Sequence, residues 1–273
     1  MSFYCRRTSV YDLGIIINVC LEGHWLPRIY NFRKYGLLNI GKSKIKVFLL
    51  VGKHPIPQDL REGWPCEIEF VTSNLYWHGP KTFEFVLNLK TEEIQKYRWW
   101  FKIDEDSIND ISHQIKRTDE EFDWEKPEYV FGHYDPLVGQ IFIDAVKKTK
   151  HRERFLPTGK TSFYFHHEYE SSLMSSSCLQ KIIEDDECRF FLKLLTSPDN
   201  DSPVCHHDQG LAIAARFIKI HGTTSMFMSK DPIFDDFSLF GGTLTHIHFI
   251  YKDPDGLSNF LKKLYEVGAI SNV

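Results

Sequence analysis

The stretch from Trp99 to Ser107 constrains the fold most, because a run of large apolar residues ends there abruptly in three acidic ones. Its sequence is Trp-Trp-Phe-Lys-Ile-Asp-Glu-Asp-Ser. A short, almost continuous apolar run is typical of a strand that is buried on both faces. The carboxylates that follow predict that this strand emerges at the edge of a sheet and presents negative charge to a cleft.

Asp104 and Asp106 flank a single residue, and this spacing can serve a metal ion. Hard divalent cations prefer oxygen ligands, and a cation held at such a pair can neutralise a diphosphate. A solvated surface loop explains an Asp-x-Asp pattern as well. The residues by themselves leave both interpretations open.

The remaining apolar runs of the first half predict a layered α/β fold. Short β-branched runs alternate with segments of helical spacing, which indicates a sheet covered by helices. Ligands of such sheets bind beyond the carboxyl ends of the strands, and the acidic residues fall at one of these ends. The predicted strands are Leu13–Cys20, Ile45–Val51, Glu67–Val71 and Arg98–Ile103, and the predicted helices are Arg28–Tyr35 and Thr82–Lys96.

The second half of the chain is less regular, but it contains no internal repeat, low-complexity stretch or linker. We therefore expect one domain over residues 1–273. The patterns predict strands at Tyr129–Phe131 and Thr243–Tyr251, a loop at Asp119–Glu125, and helices at Ser171–Glu184, Asp208–Phe217 and Pro254–Val267.

Composition excludes several classes of function. The net charge of -4 gives no reason to expect a nucleic-acid partner. No segment approaches the roughly 20 apolar residues that span a bilayer, and Leu13–Cys20 lacks the cleavage site of a signal peptide. The six cysteines form no Cys-x-x-Cys pair. A cytoplasmic location is expected, or the lumen of the secretory pathway if a leader has been lost.

Two late motifs could also carry chemistry. Asp208 precedes a predicted helix, where a carboxylate can either cap the helix or act as a general base facing a cleft. His246 and His248 lie on one face of a predicted strand. Two histidines on one face can bind a metal, and a half-exposed polar face explains them as well.

The order of these motifs resembles that of the GT-A-fold inverting β-1,3-glycosyltransferases, which include the fringe and core 1 galactosyltransferase enzymes. Trp100–Ser107 is similar to the family's Trp-aliphatic-Lys-x-Asp-Asp-Asp-Thr, with Glu105 at the central acidic position. Two departures are the glycine-free segment Tyr169–Ser175 and the lack of a membrane anchor. The other similar segments are Leu75–Thr82, His207–Gly210 and His246–His248.

The resemblance implies a GT-A-like, Rossmann-like fold, with a central mixed sheet flanked by helices in a single domain. It also implies a metal-dependent inverting glycosyltransferase, which moves a sugar from a UDP-sugar donor to a hydroxyl of a glycan or glycoprotein acceptor. Residues from about 10 to 110 would form the nucleotide-sugar-binding half. Residues from about 111 to 273 would form the acceptor-binding half.

The resemblance also assigns roles to individual residues. Asp104 and Asp106, with His248 or His246, would hold Mn²⁺ or Mg²⁺ against the donor diphosphate. Asp104 and Glu105 would contact the water shell of the metal or the ribose. Asp208 would be the catalytic base. The remaining donor-binding candidates are Lys81, as a second positive charge at the diphosphate, and Asn18 and Arg28, as contacts to the base or phosphates.

Two other functions fit the same residues. A nucleotidyltransferase acting on sugar phosphates can share the sheet and the metal, but it would release pyrophosphate rather than UDP. A non-catalytic carbohydrate-binding module could use the 15% aromatic content, and it would need neither a base nor a metal.

Overall fold

A seven-stranded mixed sheet forms the centre of the protein. The computed structural model describes residues 9–75, 78–131, 171–196, 210–218, 220, 223–224, 246–247, 261–266 and 268. The spatial order of the strands is β4-β3-β1-β5-β8-β7-β9. These strands are β1 (Tyr11–Val19), β3 (Ile45–Val51), β4 (Glu67–Thr72), β5 (Tyr97–Asp104), β7 (Tyr129–Phe131), β8 (Ser172–Ser175) and β9 (Thr223–Thr224).

The neighbouring strands β4, β3, β1 and β5 are all parallel. Strands β1, β3 and β5 are almost wholly buried, because helices cover both faces of the sheet. Strand β8 pairs antiparallel with both β5 and β7, so the sheet is mixed, as the resemblance implies. A glycine is needed at Gly14, since a Cβ there would come within 2.9 Å of the Trp100 ring.

Helices separate the strands and pack on both faces of the sheet. One face packs Phe48 and Trp100 against the helices that follow β4 and β8. The other face packs Ile15 and Phe101 against the helices that follow β1 and β6. The helices are α1 (Leu26–Asn31, continued by a π-helical turn over Phe32–Gly36), α2 (His78–Asn88), α3 (Thr91–Ile94), α4 (Ile111–Glu121), α5 (Ser176–Glu184), α6 (Asp186–Leu195) and α7 (Gly210–Phe217).

A second, three-stranded sheet lies next to the exit of β5. Its strands are β2 (Leu37–Leu38), β6 (Ile108–Asp110) and β10 (His246–Ile247). The central strand β6 pairs parallel with β2 and antiparallel with β10. Because β6 begins four residues after Asp104, this sheet connects the acidic segment to a late part of the chain.

Most of the predicted strands are confirmed, but three predicted elements differ from the structure. The sequence predicts one helix over Ser171–Glu184, whereas β8 occupies its first turn and α5 its remainder. The loop predicted over Asp119–Glu125 is partly wrong, because α4 continues to Glu121. The helix predicted over Thr82–Lys96 is interrupted, so that α2 and α3 are separate helices.

Within the described ranges, no helix is both long and apolar enough to cross a membrane. In the late part of the chain, residues 246–247 form a strand and residues 261–266 are helical. The other residues of the predicted strand Thr243–Tyr251 and of the predicted helix Pro254–Val267 lie outside the described residues.

Candidate functional site

The carboxyl ends of three parallel strands meet at the acidic segment. Asn18, the penultimate residue of β1, is in register with Asp104 of β5 on one side and with Leu50 of β3 on the other. An open parallel sheet binds its ligands in the crevice beyond such ends. The acidic segment therefore lies where the fold class places a ligand site.

We call Asp104–Ser107 the acidic turn, and hydrogen bonds fix its conformation. The Ser107 hydroxyl donates to the Asp104 carbonyl oxygen at 2.8 Å, within the turn. The Asn109 amide donates to Ser107 Oγ at 3.2 Å and to the Gly36 carbonyl oxygen at 2.9 Å. These bonds connect the turn to β6 and to the π-helical turn, so the carboxylates project from a rigid base.

The acidic turn is buried. The side chain of Asp106 is 6% exposed and that of Asp104 is 14% exposed. Glu105 and Ser107 are also buried. The alternative of a solvated surface loop is therefore wrong for this segment, because a solvated loop would leave its carboxylates in bulk water.

Each aspartate of the turn contacts a basic side chain. Lys102 precedes Asp104 by two residues on the same face of β5, and its Nζ lies 3.1 Å from Asp104 Oδ1. Arg28, from α1, places Nη1 2.9 Å from Asp106 Oδ2. The Arg28 guanidinium also lies over the Trp25 ring, 4.1 Å from the ring centroid. Both cations are partly desolvated, so these ion pairs are stronger than pairs on the open surface.

Glu105 differs from its neighbours because its Oε1 is buried and has no hydrogen-bond partner. Burial, and after it the charges of Asp104 and Asp106, raise the pKa of Glu105 to about 8. At neutral pH the side chain is therefore chiefly a neutral carboxylic acid. In that form it has one O–H to donate and oxygens to accept, which suits a ligand with hydroxyl groups.

Asn18 is the second side chain with an unused buried atom. Its Nδ2 donates to Thr82 Oγ1 at 2.8 Å, whereas its Oδ1 is buried without a partner. Most buried polar groups are hydrogen-bonded, and an unpaired one destabilises the fold. An orphaned acceptor beside Asp104 therefore points to a ligand that donates to it.

Lys81 lies at the start of α2, and its amine faces the ends of two strands. The Nζ donates to the carbonyl oxygens of Val19, at 3.0 Å, and of Leu50, at 3.3 Å. The side chain is buried. These bonds fix the start of α2 against β1 and β3, and the predicted contact of Lys81 with a phosphate stays a prediction.

The late histidines approach the site through β10. His246 is in antiparallel register with Asn109 of β6, three residues after Asp106. This pairing brings the backbone of His246 to the exit of the acidic turn. The side chain of His246 and the whole of His248 lie outside the described part of the structure, so their metal ligation stays a prediction.

Asp208 also lies outside the described residues, but the helix that begins two residues later is described. Its first residue, Gly210, packs closely against α2 and α6. A Cβ at this position would come within 2.3 Å of Phe83 in α2 and within 2.8 Å of Leu195 in α6. Phe83 is next to Thr82, the partner of Asn18. The described start of α7 is therefore close to the part of α2 that contacts the site, and the role of Asp208 as a base stays a prediction.

Sequence reasoning gave no role to Lys102, Trp25 or Thr82. Lys102 could have been found, because alternation along β5 places it on the face of Asp104. Thr82 is bonded to a residue 64 positions away, and no local pattern signals that contact. Trp25 is three residues before Arg28, which is a spacing that brings two side chains together on a helical turn.

The sheet order, the parallel strands and the position of the acidic turn define a GT-A-like fold. A search of solved structures finds the galactosyltransferase LgtC, crystallised with donor and acceptor sugar analogues, at a TM-score of 0.53. The alignment covers 95% of this chain and 97% of that one, at 12% sequence identity. The likeness supports the fold and does not distinguish the fringe and core 1 subfamily. No family model and no curated protein matches the sequence.

Proposed function

We propose that this protein is a glycosyltransferase that uses a nucleotide-sugar donor, most simply a UDP-sugar. One observation carries the proposal: the buried carboxylate of Asp106 and the partly buried carboxylate of Asp104 lie at the carboxyl end of β5, where Asn18, the register partner of Asp104, has an amide oxygen without a partner. A solved galactosyltransferase has the same fold over nearly the whole chain. The acceptor would be a hydroxyl group of a glycan or glycoprotein.

The donor set of the acidic turn fits a small divalent cation. Mg²⁺ keeps several waters and is usually bound by one or two carboxylates together with substrate phosphates, which is what Asp104 and Asp106 can offer. Over the described residues, no group of three or more His, Cys, Asp and Glu side chains could hold a metal ion. A further protein ligand would therefore come from His246 or His248, which the resemblance assigns.

Asp104 and Asp106 would hold Mn²⁺ or Mg²⁺, which would supply positive charge against the leaving diphosphate. Asn18 would accept a hydrogen bond from the donor, and Glu105 would contact its hydroxyl groups. Arg28 lies at the same carboxylates and would contact the phosphates. Lys81, which is bonded to the ends of β1 and β3, would hold these strand ends in position beneath the phosphates.

Asp208 would take the proton of the acceptor hydroxyl as its oxygen attacks the anomeric carbon. A single in-line displacement from the face opposite the leaving group inverts the anomeric configuration. An α-linked donor would then give a β-linked product. The bond broken is the one between the anomeric carbon and the diphosphate oxygen, and the diphosphate leaves as UDP.

The test is a screen of UDP-sugars with and without Mn²⁺, in which UDP and pyrophosphate are both measured. The proposal predicts metal-dependent release of UDP from at least one donor. NMR of the transferred product then reads its anomeric configuration, and a β-linkage is expected. Release of pyrophosphate would identify a nucleotidyltransferase, and indifference to both UDP and Mn²⁺ would identify a carbohydrate-binding module.

A further inference from the structure

Arg28 is the basic side chain at the acidic turn that a ligand could most easily move. Lys102 comes from a central strand and is 2% exposed, whereas Arg28 is 19% exposed and belongs to a six-residue helix. Within the described contacts, a single N–H···O bond joins Arg28 to Asp106. A guanidinium has five N–H donors, so Arg28 can also pair with a second anion.

The Arg28 guanidinium binds a carboxylate that the proposed cation would also use. Its Nη1 lies 2.9 Å from Asp106 Oδ2. The stacking on Trp25 holds it there. Two positive charges cannot share one carboxylate oxygen without strong repulsion, so a divalent cation at Asp106 must displace or weaken this ion pair.

We infer that Arg28 is a positioning residue that competes with the divalent cation for Asp106 and exchanges Asp106 for the donor diphosphate when both ligands bind. This inference rests on the proposed function. Arg28 then lowers the affinity for metal alone, because the ion pair must first be broken. It raises the affinity for the metal together with UDP, because the diphosphate gives the freed guanidinium a bidentate anionic partner.

The variant Arg28→Met tests this inference, because it removes the charge while a flexible apolar chain still packs on Trp25. Free Mn²⁺ is titrated by electron paramagnetic resonance with and without UDP. We expect Arg28→Met to bind Mn²⁺ alone about tenfold more tightly than the wild-type chain. We expect the factor by which UDP tightens Mn²⁺ binding to shrink about tenfold.

Two control variants separate competition from general effects. Arg28→Lys keeps a cation near Asp106, so it should bind Mn²⁺ alone about as tightly as wild type, but its ammonium cannot pair bidentately and should retain only part of the tightening by UDP. Lys34→Met makes the matched loss of charge at an exposed position of the adjacent π-helical turn and should leave Mn²⁺ binding unchanged. A merely structural role of Arg28 would weaken Mn²⁺ binding in Arg28→Met rather than strengthen it.

The possible failures are distinguishable. If the wild-type chain binds neither Mn²⁺ nor UDP, the proposed function itself is overturned. If it binds Mn²⁺ with UDP but Arg28→Met binds Mn²⁺ no more tightly, only the role of Arg28 is overturned. Should Arg28→Met not fold, Arg28→Gln replaces it. Wild-type Mn²⁺ affinity that does not change with UDP overturns the metal-dependent donor site, and the role of Arg28 with it.

Discussion

The two ends of strands β1 and β5 carry similar charged residues but use them differently. At the amino ends, Arg98 bridges Asp12 and Asp119. Both oxygens of each carboxylate have partners there, since Asp12 also accepts from the Lys44 backbone and Asp119 also accepts from the Trp99 indole. These groups therefore stabilise the fold by joining β1, β5 and α4.

At the carboxyl ends, the same strands leave buried polar atoms without partners. Asn18 Oδ1 and Glu105 Oε1 have none, and the two aspartates are joined to Arg28 and Lys102. A protein accepts such unpaired atoms where a ligand completes them. The two ends therefore differ in one respect: each carboxylate oxygen of Asp12 and Asp119 has a partner, whereas Asn18 Oδ1 and Glu105 Oε1 have none.

The largest expected effect is that of Asp208→Asn, which tests whether the proposed base from the late part of the chain belongs to the carboxyl-end site. Loss of a general base reduces turnover by about 10²–10⁴-fold, while UDP binding should persist. Initial rates of UDP release and calorimetry with UDP measure the two quantities. Unchanged turnover would remove Asp208 from the site.

The next effect is that of Asp106→Asn, which weakens the cation site directly. Because a metal contributes several kcal/mol of charge stabilisation, turnover should fall about 10³-fold, and Mn²⁺ should no longer improve UDP binding. Because the substitution also leaves the partly buried Arg28 without its anion, the thermal midpoint should fall, and rates are compared at a temperature at which both proteins are folded. The control is Asp123→Asn, at a carboxylate that lies two residues beyond the end of α4 and is 45% exposed. Activity in Asp106→Asn equal to that of the control would contradict the assignment.

The amino-end cluster should show the opposite behaviour. Asp119→Ala leaves the buried Trp99 indole N–H unpaired and removes one partner of Arg98. We expect a loss of about 1–3 kcal/mol in the free energy of unfolding, measured by urea denaturation, with Mn²⁺-dependent UDP binding intact. The control is Glu120→Ala, which removes a carboxylate at the next residue, where the side chain is exposed. If UDP binding failed in folded Asp119→Ala protein, the division between the two ends would not hold.

The smallest effect concerns the pH dependence of the metal-free protein. The folded state raises the pKa of Glu105 to about 8, above its unfolded value of about 4.3. Between these values the folded state binds more protons than the unfolded one, so stability falls as pH rises. We expect the wild-type chain to lose about 1 kcal/mol more than Glu105→Gln between pH 7 and pH 8. Parallel stability profiles of the two proteins would contradict this.

Much of the parallel part of the sheet could be predicted from the sequence. The run Ile45–Val51 is β3 itself, and the predicted β1 and β5 differ from the observed strands by one or two residues at each end. These strands are buried on both faces, so their residues are apolar almost without interruption. Length and composition are then sufficient to recognise them.

Strand β8 could not be predicted because its conformation depends on distant partners. Its four residues, Ser-Leu-Met-Ser, have no alternating pattern, and β5 and β7 on either side make it a strand.

Helix α4 is a different case. Ile111, Ile115 and Thr118 have helical spacing and Asp110 caps the first turn, so the signal was present, but the acidic residues at its end suggested a loop.

The sequence predicts the part of the site whose charged residues are adjacent in the chain. Asp104, Glu105 and Asp106 follow an apolar run, and this pattern alone places them at a sheet edge. The contact between Arg28 and Asp106 spans 78 residues, and the orphaned oxygen of Asn18 depends on how α2 packs. Both require the fold to be known.

The most direct test of a donor site at the carboxyl ends is calorimetric titration of UDP into the wild-type chain, with and without Mn²⁺. UDP should bind measurably, and Mn²⁺ should strengthen its binding at least tenfold. Equal UDP affinity in the presence and absence of Mn²⁺, or no binding in either, would contradict such a site.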